Sequence, residues 1–253
     1  MMIRGFYSST SGLRSQQSKM DVIANNISNI STTAFKPQQS KFSTLYLENL
    51  NGTGTNDIQV SYGTKIEKSG IDFTQGELNK TDMPLDFAIV GDGFFSMKGK
   101  ADAPNTYTRD GSFQVSVEGT TSYLVNSRGD YLLDETGNKI EFKAKNTVEK
   151  TDEKGNKTQV EEGGLDVSKI GVFTFTNKFG LEPIGGNQYK ETEVSGKASV
   201  LKTANVKNGY LENSAVEISS EMVKMMEASK GFSFNAKLIQ TADEMEKTIN
   251  QLR

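Results

Sequence analysis

Phe6, Leu13, Met20 and Ile27 recur at a strict seven-residue spacing, and Ile23 and Ile30 follow Met20 and Ile27 by three. That is the beat of a helix carrying one narrow apolar stripe. Ser9 and Gln16 hold the equivalent earlier places, so the stripe is incomplete. The helix is expected to fade at Ser31-Thr32-Thr33 and to stop before Pro37. Near the other end Ile218, Met222, Met225, Ser229, Phe232, Ala236 and Ile239 alternate steps of four and three. Ala242 and Met245 follow at threes, and Ile249 and Leu252 resume the stripe. The doubled threes read as a stammer in a coiled-coil-like seam. Ser214 and Glu217 fit a capping box, and a helix from 214 to 252 would run roughly 55–60 Å. Gly231 is expected to weaken it by about 1 kcal/mol. One stripe per helix makes no self-contained core, so the two helices need each other and copies from other molecules.

The middle of the chain has another rhythm. From about 58 to 207, short alternating runs such as "LDFAIV", "SFQVSV" and "GVFTFTN" are broken by "GDG", "RDG", "SRGD", "ETGN" and "IGGN". This is the punctuation of antiparallel hairpins. The nearly all-polar stretch 143–162 is expected to be a solvated hairpin or loop. "NGTGTND", residues 51–57, reads as a flexible linker. The expected fold class is α+β: terminal helices from 1–35 and 208–253, a linker and extended segment at 36–80, and a β-rich domain at 81–207.

Composition narrows the chemistry. Histidine and cysteine are both absent, which removes thiol nucleophiles, disulfides and histidine acid–base chemistry. Lys and Arg are dispersed among Asp and Glu, with a net charge of −3, so no nucleic-acid partner is expected. No run approaches the length of a membrane span. The N-terminus lacks the apolar core of a cleaved secretory signal.

Four blocks carry a family resemblance. "MDVIANNISNISTTAFK" (20–36), "QGELNKTDMPLDFAIVGDGFF" (75–95), "YTRDGSF" (107–113) and "NGYLENSAVEISSEMVKMMEASKGFSFNAKLIQTADEMEKTINQL" (208–252) resemble, in order, the signatures of the flagellar rod and hook proteins. The short length favours the rod branch, and paralogous hook-basal-body proteins remain an alternative. The resemblance implies a structural subunit of the basal body. Copies would stack helically into a tube, the terminal helices inside and the β-domain outside. The tube would transmit torque and conduct later subunits. The implied partners are further copies, other rod and hook proteins, and the flagellar type III export apparatus. No membrane insertion, cofactor, metal or catalytic residue is implied. Ala34 stands where the family usually has glycine, so a positive φ is not expected there.

On this reading the assembly surface comprises Phe6, Leu13, Met20, Ile23, Ile27 and Ile30 with Ile218, Met222, Met225, Phe232, Ile239, Met245, Ile249 and Leu252. Asn25, Asn26 and Asn29 flank the first stripe. Two readings of these amides are open: contacts between subunits, or solvated side chains that fray the helix end. Other motifs have plainer readings. Gly91-Asp92-Gly93 is a tight turn, Arg128-Gly129-Asp130 a hairpin turn, and Asp110-Gly111 fits a type I′ turn. Asp86, Asp92 and Asp110 read as surface or turn carboxylates, and Asp134, Gly137 and Asn138 fall short of a calcium loop. The competing function classes are a carboxylate-based cell-wall hydrolase and a secreted adhesin built on the Arg-Gly-Asp turn.

Overall fold

The computed structural model describes residues 2–50, 58–99, 104–119, 121–142, 146–151, 157–162, 170–202 and 204–252. It is α+β, with a helix at each end and mostly antiparallel strands between. The chain divides into two units, one made of 1–31, 36–73 and 216–253, the other of 32–35 and 74–215.

The first unit holds helix α1 (Met2–Ser28), strands β1 (Gln38–Leu50) and β2 (Ile58–Ile71), and helix α2 (Ile218–Gln251). The 36–80 stretch, expected as linker and extended segment, is largely a long antiparallel hairpin. Gln38 pairs with Ile71, Phe42 with Ile66 and Thr44 with Thr64. "NGTGTND" lies outside the described residues. Asn29 N–H closes α1 on the Asn25 and Asn26 carbonyls. α2 begins later than the capping box suggested. Glu217 is its N-cap and makes no side-chain cap bond. The backbone before it is held elsewhere, since Asn213 and Ala215 N–H donate to the carbonyls of Glu77 and Phe35.

The second unit is a set of short strands. In chain order these are β3 (Leu78–Lys80), β4 (Phe87–Val90), β5 (Phe94–Lys98), β6 (Thr106–Thr108), β7 (Gln114–Glu118), β8 (Thr121–Val125), β9 (Tyr131–Leu132) and β10 (Glu141–Phe142). They continue as β11 (Asn146–Thr151), β12 (Lys157–Glu162), β13 (Val172–Thr174), β14 (Glu182–Gly185), β15 (Gln188–Lys190), β16 (Ser199–Val200), β17 (Asn205–Asn208) and β18 (Tyr210–Glu212). The main sheet runs β10-β8-β9-β5-β6-β15-β14, with β7 on β8, and β13 on β5 and β16. β11 and β12, inside the polar 143–162 stretch, pair only with each other among the described residues.

β5 is buried on both faces from Phe94 to Met97, with Ser96 its one polar buried residue. Phe95 and Met97 join Phe87, Ile89, Phe113 and Leu124 in the main core. Phe94 turns to the other face and meets Phe175 and Tyr189 edge-on. Gly111 is a close-approach position, not half of a type I′ turn. Neither Asp110 nor Gly111 has the positive φ that turn requires. A Cβ on Gly111 would lie 1.6 Å from the Phe87 carbonyl oxygen. Asp110 instead accepts bonds from the Ser112 N–H and hydroxyl and from the Thr33 hydroxyl.

One ion pair is fully buried in this unit. Arg109 Nε lies 3.2 Å from Glu212 Oε2 with both side chains 1% exposed. Arg109 Nη2 also donates to Gly91 O, and Glu212 Oε1 accepts from Gly76 N–H, so each partner of the buried pair keeps a further polar contact. Ala34 N–H donates to the Glu212 carbonyl at 2.8 Å. Ala34 sits there at φ +53°, contrary to the expectation from sequence. Its two neighbours explain why: Thr33 is held by Asp110 and Asn187, and Phe35 O accepts from Ala215.

Candidate assembly surface

α1 and α2 run antiparallel. A Cβ on Gly12 would lie 2.9 Å from Asn235 Nδ2, and one on Gly231 would lie 3.0 Å from Gln16 Nε2. Four residues up α1 thus match four residues down α2. Ten further up and ten further down, Asn26 meets Glu221. Gly231 is therefore not merely a weak point. It opens room for an amide from the other helix, as Gly12 does in return.

The seam on α2 is Glu221, Met225, Ala228, Phe232, Asn235, Ile239 and Ala242, which are all buried or half-buried. Its steps are four and three throughout, so no stammer is needed. The stripe expected from sequence shares Met225, Phe232, Ile239 and Ala242 with this seam and otherwise follows a neighbouring row. Met222 and Ser229 are exposed, and so are Ile218, Met245, Ile249 and Leu252. The true second row, Glu221, Ala228 and Asn235, is small or polar and escapes a search for apolar residues. Allowing Ala and buried amides at the four–three spacing would have found it.

The asparagine-rich stretch divides three ways. Asn26 is 1% exposed. Its amide donates to Glu221 Oε2 at 3.1 Å and to Gln38 O at 2.9 Å, and its carbonyl accepts from Gln38 N–H at 3.0 Å. Lys224 Nζ holds the other oxygen of Glu221 at 2.6 Å. Asn26 thus ties α1 to the start of β1 and to α2, so it is spent inside the chain, as is the buried Ile23. Asn29 donates to the Asn25 carbonyl, and Asn25 is exposed. Further along α1, Ser11 accepts from Thr64 N–H and Ser15 donates to Thr64 O. Gly63, at φ +70°, lets β2 approach, since a Cβ there would lie 2.6 Å from Ser11 Oγ.

Phe6, Leu13, Met20 and Ile27 are not at the centre of the helix–helix contact. Phe6 is exposed and the other three, with Ile30, are half-buried. Leu13 and Ile27 each follow a seam residue, Gly12 and Asn26, by one position. Met222 and Ala236 follow Glu221 and Asn235 in the same way. An antiparallel pair of right-handed helices has a local two-fold, so both rows lie on one flank of the pair. Val223, Met226, Phe234 and Leu238 add further exposed apolar surface on α2, each at least 42% exposed. That is a large apolar area for a helix pair to leave uncovered.

The small motifs of the second unit are structural. Arg128-Gly129-Asp130 forms the turn between β8 and β9. Asn126 Oδ1 accepts from Arg128 and Asp130 N–H. Gln188 engages both the Arg128 guanidinium and the Asp130 carboxylate. Asp92 pairs with Lys178 at 2.7 Å, and Asp86 accepts from Thr81 at 2.6 Å. No cluster of three or more acidic side chains suited to a metal ion occurs among the described residues.

Comparison with known proteins matches three stretches of the chain. The profile for the flagella basal body rod protein matches residues 6–36. The flagellar hook protein FlgE/F/G D1 domain matches 88–167, and the flagellar basal body rod FlgEFG protein C-terminal region matches 207–252. The flagellar basal-body rod protein FlgG of Borreliella burgdorferi is 33% identical, covering 100% of this chain and 99% of its own. The protein of that name in Bacillus subtilis is 34% identical over the whole of both chains. The flagellar hook-basal body complex protein FlhP of Bacillus subtilis is 25% identical over the same extent.

Proposed function

The chain belongs to the flagellar basal-body rod protein family, and on that premise we propose that it polymerises helically, FlgG-like, into the axial tube of the rod. It is a structural rod subunit of the flagellar basal body. The contacts that build the tube come from the terminal helices, coiled against neighbouring copies. Its other partners are rod and hook proteins at the two ends of its segment. The tube carries torque and conducts later subunits, and the chain reaches it through the flagellar type III apparatus.

One observation carries the polymer reading. The flank formed by Leu13, Met20, Ile27 and Met222 is apolar and only partly covered by the chain itself. A head-to-tail contact that does not close on itself makes an open helical filament, and long helices supply such contacts. The test is electron microscopy of basal bodies purified from the native host with this subunit tagged. Label along the rod supports the reading. Label confined to the hook, or absent from the particle, overturns it.

A further inference from the structure

A groove of about 600 Å³ lies between α1 and the β1–β2 hairpin, separate from the flank described above. Tyr7 and Leu45, 69% and 56% exposed, give it apolar rims, and Ile66 adds to its lining. Arg14 stands on the helix wall and Lys65 on the hairpin wall. Ser11 and Ser15, engaged with Thr64, fix the spacing of the walls. No carboxylate lines it among the described residues.

The C-terminal tip of α2 has the complementary pattern. On the observed register Met2 lies opposite Met245, so the last two turns of α2 run past the start of α1. Met245, Ile249 and Leu252 are 57%, 49% and 85% exposed. At about 100° per residue they form one stripe, with Glu244 and Glu246 flanking it at about 100° on either side and Lys247 on the reverse. The helix C-terminus adds partial negative charge.

We propose that this groove seats the C-terminal tip of α2 from a second copy of the chain. Met245, Ile249 and Leu252 lie on Tyr7, Leu45 and Ile66, and Glu244 and Glu246 face Arg14 and Lys65. The proposal rests on the polymer reading above and specifies one of its contacts. An apolar stripe with an acid on each side matches an apolar groove with a base on each wall, so the charges fix orientation as well as attraction.

The chain has no cysteine, so introduced pairs report cleanly. Ser8→Cys or Ser18→Cys, each combined with Ile249→Cys, is expressed in the native host and the basal bodies are oxidised. Within one chain these positions are roughly 15 and 30 Å apart along the helix pair, beyond disulfide reach. The expected result is a ladder of cross-linked multimers from at least one pair and none when Lys247→Cys replaces Ile249→Cys. Arg14→Glu is expected to cut subunit incorporation at least tenfold, and adding Glu246→Lys or Glu244→Lys to restore most of it. Rods that assemble but give no ladder, or charge reversals that never compensate, overturn this seat and leave the rod reading standing. Absence of even the unmodified chain from basal bodies overturns both.

Discussion

The side-chain amide of Asn26 donates to Glu221 Oε2 at 3.1 Å, joining two residues 195 positions apart in a buried contact. The same side chain makes both backbone bonds available to it at Gln38. Asn26→Ala therefore leaves one oxygen of the buried Glu221 carboxylate without its amide donor and removes the partner of two backbone groups of Gln38. The expected cost is about 2–4 kcal/mol, read from urea unfolding followed by helix signal. Asn25→Ala, at an exposed position, should stay within about 0.5 kcal/mol. Equal effects at the two positions would remove Asn26 from its role as a tie.

Ala34 at φ +53° predicts an inverted response to glycine. An L-residue in the left-handed region bears about 1–2 kcal/mol of strain. Ala34→Gly should be neutral or slightly stabilising despite the lost buried methyl, whereas Ala34→Val should destabilise by more than about 2 kcal/mol. Thermal melts of the two variants decide it, and a clear loss of stability in Ala34→Gly would contradict the account.

Glycines at close approaches should differ by what they face. Gly111→Ala drives a Cβ into the Phe87 carbonyl, which backbone cannot avoid, and a loss above about 3 kcal/mol or failure to fold is expected. Gly231→Ala meets only the end of the Gln16 side chain. Its helix-propensity gain of about 1 kcal/mol offsets that crowding, so the net change should be small. Comparable melts for the two variants would refute the distinction.

Alkaline stability follows from two buried phenols. Burial, and then the Glu191 carboxylate, push Tyr107 up to about 12 from an ordinary 10.0. Burial also raises Tyr189, and Glu212 adds to this while Arg109 opposes it. Below pH 10 folded and unfolded chains are equally protonated at these sites. Above it the unfolded chain releases protons that the folded chain keeps, so stability falls between about pH 10 and 12. Tyr107→Phe should shallow that fall, with Tyr189 supplying the remainder. A melting temperature unchanged from pH 9 to 12 would contradict this.

The fold was legible where one physical signal dominated. Turn punctuation marked the hairpins of the second unit, though not the burial of β5 on both of its faces. The seven-residue beat announced the terminal helices. It passed over Glu221, Ala228 and Asn235 of the α2 seam because these pack by size and hydrogen bonding instead of hydrophobicity. The first strand of the 38–71 hairpin was not legible because residues 36–57 are mixed in polarity, and the hairpin depends on contacts such as Thr64 with Ser11 and Ser15. Ala34 was misread because its φ is set by Glu212 and Ala215, far away in sequence. Of the proposed assembly residues, Ile23 and Asn26 proved to be covered within the chain, while Met222, Met245 and Ile249 stand exposed.

The most direct measurement of the polymer claim is the number of copies of a Met222→Asp subunit per purified basal body, against a Lys247→Asp control. Met222 is 55% exposed, so its replacement should leave the monomer's stability within about 0.5 kcal/mol of the parent. In a packed tube wall the same carboxylate is buried without a partner, at several kcal/mol per subunit. Incorporation of Met222→Asp is expected to fall at least tenfold below the control, and swimming to stop. Equal incorporation of the two variants would mean that this flank is not where one copy meets the next.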